Sequence, residues 1–441
     1  MLLDSVDPGA DILATMGHTS TSHDTHTQGS TPLSLVARYQ QIRARTEHLA
    51  APLEKEDMVV QSMPDASPTR WHLAHVSWFF EHFLLQPRLK GYRVFQPGWD
   101  YLFNSYYYSA GQMFRRPQRG LLSRPTVDEV LAYRAFIDEN MLDLIERDAH
   151  DPEVSFLVQL GLHHEQQHQE LILTDIKHAL WLNPLRPAYR SDLDIPRGTE
   201  TPQAFHEFTG GIVNIGAEGE DFYFDNETPR HRVLLQPFQL GERLVSNAEF
   251  KNFIEDGGYT HSEWWLSDGW SMVNEQAWRR PLYWSEALDS EFSLAGEIGL
   301  DPHRPVCHLS YYEADAYARW SGARLPAEAE WEHVASRQEP PGDQTGSNGL
   351  HPGSATDTGT PTQMFGDTWE WTASPYSAYP GFRPLSGSLG EYNGKFMCSQ
   401  LVLRGGSCAT PPGHTRPSYR NFFYPAARWQ FSGIRLARDM G

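Results

Sequence analysis

Apolar residues recur at helical spacing between residue 33 and about residue 182. Leu35, Tyr39, Ile42 and Leu49 fall on one face of a predicted first helix. A later helix has its own apolar stripe, made of Val127, Val130, Ile137, Met141 and Leu144. Together with two further amphipathic segments between and after these, the pattern predicts a four-helix bundle.

Capping residues indicate where three of the helices begin. Ser67-Pro68 predicts the start of the second helix, with serine as the N-cap and proline at the first helical position. Thr126 and Glu129 have the spacing of a capping box at the start of the third helix. The fourth helix is predicted from Asp151-Pro152 to about Trp181. We therefore expect the irregular segment 86–125 to connect the second and third helices.

The residue composition of the chain changes after a proline-rich segment at residues 183–198. Residues 205–441 are dense in Gly, Pro and Trp, with short strand-like runs at 232–235 and 401–404 and one clear helix from Ser310 to about Ser321. This composition, with its short predicted elements, predicts an irregular α+β domain. The predicted organisation is a disordered tail at 1–31, a helical bundle at 32–190 and the α+β domain at 191–441.

The composition of the chain argues against some classes of binding partner. The chain has 441 residues, 36 Lys and Arg against 56 Asp and Glu, and a formal net charge of −20. This length predicts two domains, and the acidity argues against nucleic acid and anionic membranes as partners. No apolar run is long enough to span a membrane, and the first thirty residues lack the pattern of a secretory signal. We therefore expect a cytoplasmic location.

The fourth predicted helix carries two histidines in its apolar stripe, which runs through Leu157, Leu160, His164, His168 and Leu171. Residues four apart lie one turn apart on the same face, so two imidazoles at this spacing can bind one metal ion. Histidines without partners are costly to bury. The spacing therefore favours a metal site over a pair of hydrogen-bonded core histidines.

The second predicted helix offers a third ligand. Either His72 or His75 could face the core, and His75 is favoured because it shares a stripe with Trp71 and Trp78. The alternative of a zinc-protease helix, with Glu165 as the general base, lacks a third ligand at protease spacing. Three neutral histidines leave positions open, which suits iron(II) with O₂ or zinc with water.

Several motifs resemble the ergothioneine-biosynthesis sulfoxide synthases of the EgtB type. In the N-terminal half the resemblance lies in Leu73-Ala74-His75 and His164-Glu165-Gln166-Gln167-His168. In the C-terminal half it lies in segments 324–332, 366–372, 403–407 and 431–435, which are similar to the formylglycine-generating enzymes. The resemblance covers about residues 33 to 439. It implies a DinB-like four-helix bundle followed by a sulfatase-modifying domain of the formylglycine-generating type, which is related to C-type lectins.

The resemblance implies an oxidoreductase that uses Fe(2+) bound by His75, His164 and His168. Such enzymes join a thiol sulfur to C2 of the imidazole of hercynine with O₂ and leave a sulfoxide. Formylglycine generation itself is not expected, because it needs a cysteine pair five residues apart, and this chain has no cysteine after Cys408. The alternatives are a related histidine sulfoxide synthase, a selenium counterpart, a zinc-dependent thiol transferase or hydrolase, and a noncatalytic binding protein.

The resemblance also suggests which residues contact hercynine. Asn421 and Phe422 are candidates for its head group, since aromatic faces hold a trimethylammonium, although Phe422 could equally be core. Gln167 is a candidate for its carboxylate. Relatives that use γ-glutamylcysteine have an acidic residue where this chain has Phe423. Cysteine is therefore the expected sulfur donor, with γ-glutamylcysteine as the alternative.

The connection 86–125 supplies the remaining candidates. Tyr106 and Tyr107 resemble the tyrosines of the family branch that takes its proton or hydrogen donors from this loop; a packed tyrosine cluster is the alternative. Arg116 and Arg119 form a short cationic cluster in an acidic protein, which predicts recognition of the carboxylate of the thiol donor. A solvated basic turn is the alternative reading of these arginines.

Overall fold

A bundle of four long helices forms the N-terminal half of the computed structural model. The structure describes residues 33–338, 340, 349–356 and 358–440, so the predicted tail at 1–31 lies outside the described residues. The helices of this half are α1 (Leu35–Ala50), α2 (Thr69–Phe80), α3 (Gln86–Arg88), α4 (Trp99–Phe103), α5 (Val127–Asp148) and α6 (Pro152–Leu182). Helices α1, α2, α5 and α6 pack together, as the apolar pattern predicts.

Two of the three predicted helix starts are confirmed and one is wrong. Thr126 closes a capping box with Glu129, and Asp151 caps α6. Helix α2, in contrast, has Pro68 rather than Ser67 at its N-cap, with no side-chain cap. Ser67 is used differently, because its Oγ accepts from Arg119 Nη1 (2.9 Å) and its backbone N–H donates to a carboxylate of α6.

Short helices and strands with many loops form the C-terminal half. Its helices are α7 (Asn247–Glu255), α8 (Ser267–Glu275), α9 (Tyr311–Trp320) and α10 (Glu328–Ala335). Its strands are β1 (Phe205–Phe208), β2 (Gly211–Ile215), β3 (His231–Leu235), β4 (Phe238–Gly241), β5 (Ser290–Ser293), β6 (Gly296–Gly299), β7 (Trp369–Pro375), β8 (Leu401–Arg404), β9 (Asn421–Phe423), β10 (Ser432–Gly433) and β11 (Ala437–Asp439). The predicted strands 232–235 and 401–404 and the predicted helix from Ser310 are all present. Helices α7, α8 and α10 were not predicted, because eight or nine residues give a weak periodic signal.

The strands form small sheets that are held together by buried ion pairs. One sheet has the order β10-β7-β8-β9, in which β7 is parallel to β10 and antiparallel to β8. A second sheet has the order β1-β4-β11, and β2-β3 and β5-β6 are two-stranded. Arg435 Nε donates to Glu370 (2.7 Å), and both side chains are fully buried. Pairs of this kind satisfy charges that would otherwise be costly to bury.

Helix α6 contacts both halves of the chain through buried polar side chains, which lie on three of its faces. Glu165 and Gln169 point into the bundle, where Glu165 accepts from Arg43 (2.9 Å) and Arg134 (3.0 Å). We call the stripe that contacts the C-terminal half the docking face; its residues are His163, Gln166, Gln167, Glu170 and Lys177. These residues recur at helical spacing, so they lie on one side of α6.

Glu170 is the most heavily bonded residue of the docking face. Its carboxylate accepts from Trp369 Nε1 (2.8 Å), Ser407 Oγ (2.5 Å) and Thr410 Oγ1 (2.6 Å). Burial raises its pKa, while these three donors favour the charged form. A single hydrophobic core cluster also includes residues from both halves. Within the described residues, no helix combines the length and apolar character needed to cross a bilayer.

We predict that Glu170→Ala destabilises the protein by about 3 kcal/mol or more. The substitution leaves three buried donors without an acceptor, and each such group costs on the order of 1–3 kcal/mol. Urea unfolding followed by circular dichroism measures the change.

The matched control is Glu139→Ala, which removes an exposed glutamate from α5 and should change the free energy of unfolding by less than about 0.5 kcal/mol. Equal stabilities of the two variants would contradict the assigned role of Glu170.

Candidate metal centre

Three histidines from two helices meet in the core of the bundle. His75 on α2 and His164 and His168 on α6 each present one nitrogen, and these three atoms lie within 4.8 Å of one another. Nε2 of His75 is 3.2 Å from Nε2 of His164. Two ligands about 2.1 Å from one ion are separated by about 3.0 Å at a right angle and about 3.4 Å at the tetrahedral angle. The spacing therefore fits two ligands of one metal ion.

Hydrogen bonding fixes which nitrogen of His75 is free. Its Nδ1 lies 2.6 Å from the backbone oxygen of Phe103. A carbonyl oxygen only accepts, so Nδ1 carries the proton and Nε2 keeps its lone pair. The ring is also stacked between Trp71 (4.5 Å) and Trp78 (5.6 Å). This arrangement aims a rigid, unprotonated Nε2 at the centre of the cluster, as metal-binding histidines require.

Burial keeps the three imidazoles neutral. Their exposed fractions are 2%, 3% and 8% for His75, His164 and His168. Desolvation lowers the pKa of His164 to about 3 and holds the pKa values of His75 and His168 well below the ordinary range. Neutral imidazoles bind metal ions, whereas imidazolium ions do not. The donor set therefore fits a divalent metal, and three nitrogen ligands leave further positions for substrates.

The remaining candidates from the histidine motifs lie outside the cluster. Glu165 points away from it into the bundle, where two arginines and Thr46 Oγ1 (2.6 Å) use its oxygens. The Glu165 carboxylate is therefore not positioned to act as the general base of a zinc protease. His72 lies behind His168, with its Nδ1 2.8 Å from Nδ1 of that ring. The geometry groups His75, rather than His72, with His164 and His168.

The two predicted tyrosines occupy different environments. The Tyr107 side chain is buried, packs on Trp78 (5.7 Å), and its hydroxyl has no hydrogen-bond partner among the described residues. Burial raises its pKa far above the ordinary value, so the hydroxyl keeps its proton. Tyr106 has a positive φ of 69°, and its Oη accepts from Arg116 Nη1 (2.6 Å). Tyr107 therefore lies one ring away from His75, through Trp78.

The two predicted arginines lack carboxylate partners among the described residues. Arg119 is buried, lies over the Trp71 ring at 3.3 Å and donates to Ser67 Oγ and Ser105 Oγ, both at 2.9 Å. Burial lowers the pKa of its guanidinium to about 9. The Arg116 side chain donates to the Tyr106 hydroxyl and to the backbone oxygen of Asp65. A buried cation such as Arg119, with no carboxylate partner among the described residues, is typical of a site that binds an anionic ligand.

Gln167 connects the metal cluster to the C-terminal half. Its Nε2 donates to Tyr419 Oη (2.7 Å), and its Oε1 accepts from the Tyr392 hydroxyl. Tyr392 packs edge-on against His164 (5.6 Å) and nearly parallel to Tyr107 (6.4 Å). The C-terminal half therefore contributes two tyrosines to this side of the cluster.

The other residues predicted to contact hercynine lie towards Tyr106 in the connection 86–125, rather than towards the three histidines. Phe422 stacks on Tyr376 (4.0 Å) and lies 5.9 Å from Phe396, which contacts Tyr106. Phe423 packs on Trp429 (5.8 Å). Asn421 Oδ1 accepts from the next backbone N–H (2.9 Å). Since neighbouring strand residues point to opposite faces, Asn421 and Phe423 share one face of β9 and Phe422 lies on the other.

Tyr392 and Tyr419 are site residues that sequence reasoning did not select. Tyr419 lies two residues before Asn421, and Tyr392 lies in the segment between β7 and β8. Neither residue has a local pattern that places it next to a helix more than 200 residues earlier. Only the packing of the two halves brings them to Gln167.

Comparison with known families matches both halves. The DinB superfamily model matches residues 38–172, and the model of the sulfatase-modifying factor enzyme 1-like domain matches residues 196–361 and 354–440. These matches confirm the predicted combination of a DinB-like bundle and a sulfatase-modifying domain.

Individual relatives agree with this assignment. The hercynine oxygenase of Mycolicibacterium smegmatis is 33% identical over 86% of this chain and 93% of its own length. The hercynine oxygenase of Mycobacterium tuberculosis is 31% identical over 93% of this chain and 100% of its own length. A formylglycine-generating enzyme of Streptomyces coelicolor is 31% identical over 50% of this chain and 81% of its own length. The hercynine oxygenases thus match along both halves, and the formylglycine-generating enzyme matches about half of the chain.

Proposed function

This chain belongs to the hercynine oxygenase family, and from that premise we propose that it is an iron(II)- and O₂-dependent sulfoxide synthase acting on hercynine and cysteine. The reaction joins the cysteine sulfur to C2 of the hercynine imidazole. One atom of O₂ becomes the sulfoxide oxygen. The other leaves as water with the two hydrogens lost from the thiol and from C2. The observation that carries the proposal is the buried group of three neutral histidines.

The proposed ligands of iron(II) are His75, His164 and His168. Bound there, iron(II) would supply electrons to O₂ and a centre next to which a soft thiolate and an imidazole can be held together. The protein contributes the rigid orientation of His75 between two tryptophans and a site from which bulk water is largely excluded. Exclusion of water strengthens the electrostatic interactions that orient charged substrates.

Arg116 and Arg119 are the proposed binding residues for the carboxylate of cysteine. The planar guanidinium of Arg119 is already oriented by two serine hydroxyls and the Trp71 ring, so a carboxylate meets a fixed donor. The thiol donor is proposed to be cysteine rather than γ-glutamylcysteine because Phe423 offers no charge to the donor's amine.

Gln167, Asn421 and Phe422 are the proposed contacts of hercynine. Gln167 uses one N–H for Tyr419, so its second amide N–H remains for a carboxylate. Phe422 and the ring of Tyr376 stacked on it form an aromatic surface of the type that binds a trimethylammonium. Asn421 lies at the start of the same strand, on the face opposite to Phe422.

Tyr107 is the proposed proton donor for the oxygen-reduction step, with Tyr106 as its partner in the same loop. A general acid must keep its proton until the reaction needs it, and the buried Tyr107 hydroxyl does so. Its hydroxyl is also free of other hydrogen bonds within the described residues. Tyr106 instead has its oxygen oriented by Arg116.

The decisive experiment for the reaction is donor competition with anaerobically prepared Fe(II) enzyme, hercynine and O₂. We expect mass spectrometry to find the hercynyl-cysteine sulfoxide as the main product when cysteine and γ-glutamylcysteine compete. Arg119→Gln should raise KM for cysteine about 10- to 100-fold, because a charge-assisted hydrogen bond contributes about 1.5–3 kcal/mol.

The matched control is Arg115→Gln, an exposed arginine of the same loop, for which KM should stay unchanged. A preference for γ-glutamylcysteine would contradict the donor assignment. The absence of C–S product with every thiol, or oxygen-independent activity with stoichiometric zinc, would contradict the function itself.

We also predict that Tyr107→Phe diverts turnover toward oxidation of the thiol alone. The substitution removes only a hydroxyl, and loss of a general acid lowers the rate of the affected step by about 100-fold or more. The ratio of sulfoxide product to oxidised thiol, measured by mass spectrometry, reports the change.

Tyr106→Phe and the double variant Tyr106→Phe/Tyr107→Phe belong to the same series. Tyr101→Phe, which alters a half-exposed tyrosine of the same connection, is the control and should keep the wild-type ratio. If the ratio stays at the wild-type value in both single variants and in the double variant, neither tyrosine has the proposed role.

A further inference from the structure

His168, His72 and Asp175 form a line of hydrogen-bonded side chains that leads away from the metal cluster. His72 Nδ1 lies 2.8 Å from His168 Nδ1, and on the other side of the ring His72 Nε2 lies 3.1 Å from Asp175 Oδ2. The Asp175 oxygen is itself held by the backbone N–H of Ser67 (2.7 Å). All three side chains in this line are buried. The line therefore runs from the metal cluster to a fixed carboxylate without reaching solvent.

The positions of the protons in this line follow from what each group can do. A carboxylate only accepts, so His72 Nε2 donates to Asp175. An imidazole carries one ring proton, so with that proton on Nε2 the Nδ1 of His72 is an acceptor. That Nδ1 must therefore accept from His168 Nδ1–H. The remaining nitrogen of His168, Nε2, then has its lone pair free.

Helical spacing places these groups together. Asp175 follows His168 by seven residues, which is two turns along the same face of α6. His72 precedes His75 by three residues, so both face α6 from α2. Ser67, which lies just before α2, is part of the same arrangement because its backbone N–H donates to Asp175.

We propose that His72 and Asp175 are positioning residues that hold His168 as the Nδ1–H tautomer and so direct its Nε2 at the metal. The proposal rests on the metal centre of the proposed function. A hydrogen bond to the outer nitrogen of a metal-binding histidine fixes both its tautomer and its ring orientation, and loss of such a partner typically costs about 10- to 100-fold in metal affinity. His75 has its own fixed acceptor, the Phe103 carbonyl. His168 receives the same constraint from a side chain.

The test measures Co(II) binding by the full-length protein under anaerobic conditions, from competition with a chromophoric chelator and from the visible ligand-field bands. His72→Phe keeps the ring shape and removes both nitrogens, so we expect Kd to rise about 10- to 100-fold and the bands to shift. Asp175→Leu should have a comparable effect. Both substitutions interrupt the same line of hydrogen bonds. The double variant should therefore bind Co(II) no more weakly than the weaker-binding single variant does.

Two further variants separate this role from packing. Asp175→Asn keeps an oxygen that can accept from His72 and should raise Kd less than Asp175→Leu does. The control is His178→Phe, since His178 lies on the same helix and contacts Ser62 rather than the cluster. His178→Phe should keep the wild-type Kd and bands.

The outcomes distinguish the two proposals. If wild-type protein binds neither Co(II) nor Fe(II), the metal centre itself fails, and the positioning role fails with it. If wild-type protein binds metal and folded His72→Phe keeps the wild-type Kd and bands, only the positioning role is overturned. Additive losses in the double variant would also overturn it, because independent packing defects add.

A measurement on the unmutated protein covers the case in which the variants do not fold. Long-range ¹H–¹⁵N spectra of metal-free protein labelled with ¹⁵N-histidine report which ring nitrogen carries the proton, and His168→Gln identifies the signals of His168. We expect His168 to be protonated at Nδ1 and His72 at Nε2. Protonation of His168 at Nε2 would overturn the proposal.

Discussion

Every polar side chain along α6 needs a partner, because this helix is buried over nearly its whole length. The bundle supplies arginines to Glu165, and the C-terminal half supplies a tryptophan and two hydroxyls to Glu170. The third polar face, with His164 and His168, meets the histidines of α2. The buried polar side chains of α6 thus form hydrogen bonds to both halves of the protein, and these bonds hold the two halves in one relative arrangement.

The same burial determines what the site can do. Desolvation keeps the cluster histidines neutral and therefore ready to bind metal. Among the described residues, no carboxylate forms an ion pair with the guanidinium of Arg119, in a chain whose net charge is −20. A substrate carboxylate would supply the missing charge. In this account one physical cause, the exclusion of water around α6, accounts for both the metal site and the proposed binding of amino acid substrates.

The sequence predicts the parts of the site that depend on one helix. His164 and His168 could be identified because the period of α6 alone places both in the apolar stripe. The cap at Ser67 was mispredicted because its amide and hydroxyl are used by residues more than 50 positions away. Tyr392 and Asp175 could not be selected for the same reason. Their roles depend on which helices and loops become neighbours, and a local pattern of residue types contains no information about that.

The central claim is that three neutral histidines of the buried bundle hold one iron ion. It is tested most directly by a crystal structure of the full chain soaked anaerobically with Fe(II), with diffraction data on both sides of the iron absorption edge. We predict a single anomalous peak within bonding distance of Nε2 of His75, His164 and His168. A peak at any other group of residues, or stoichiometric iron with no peak in the bundle, would contradict the account.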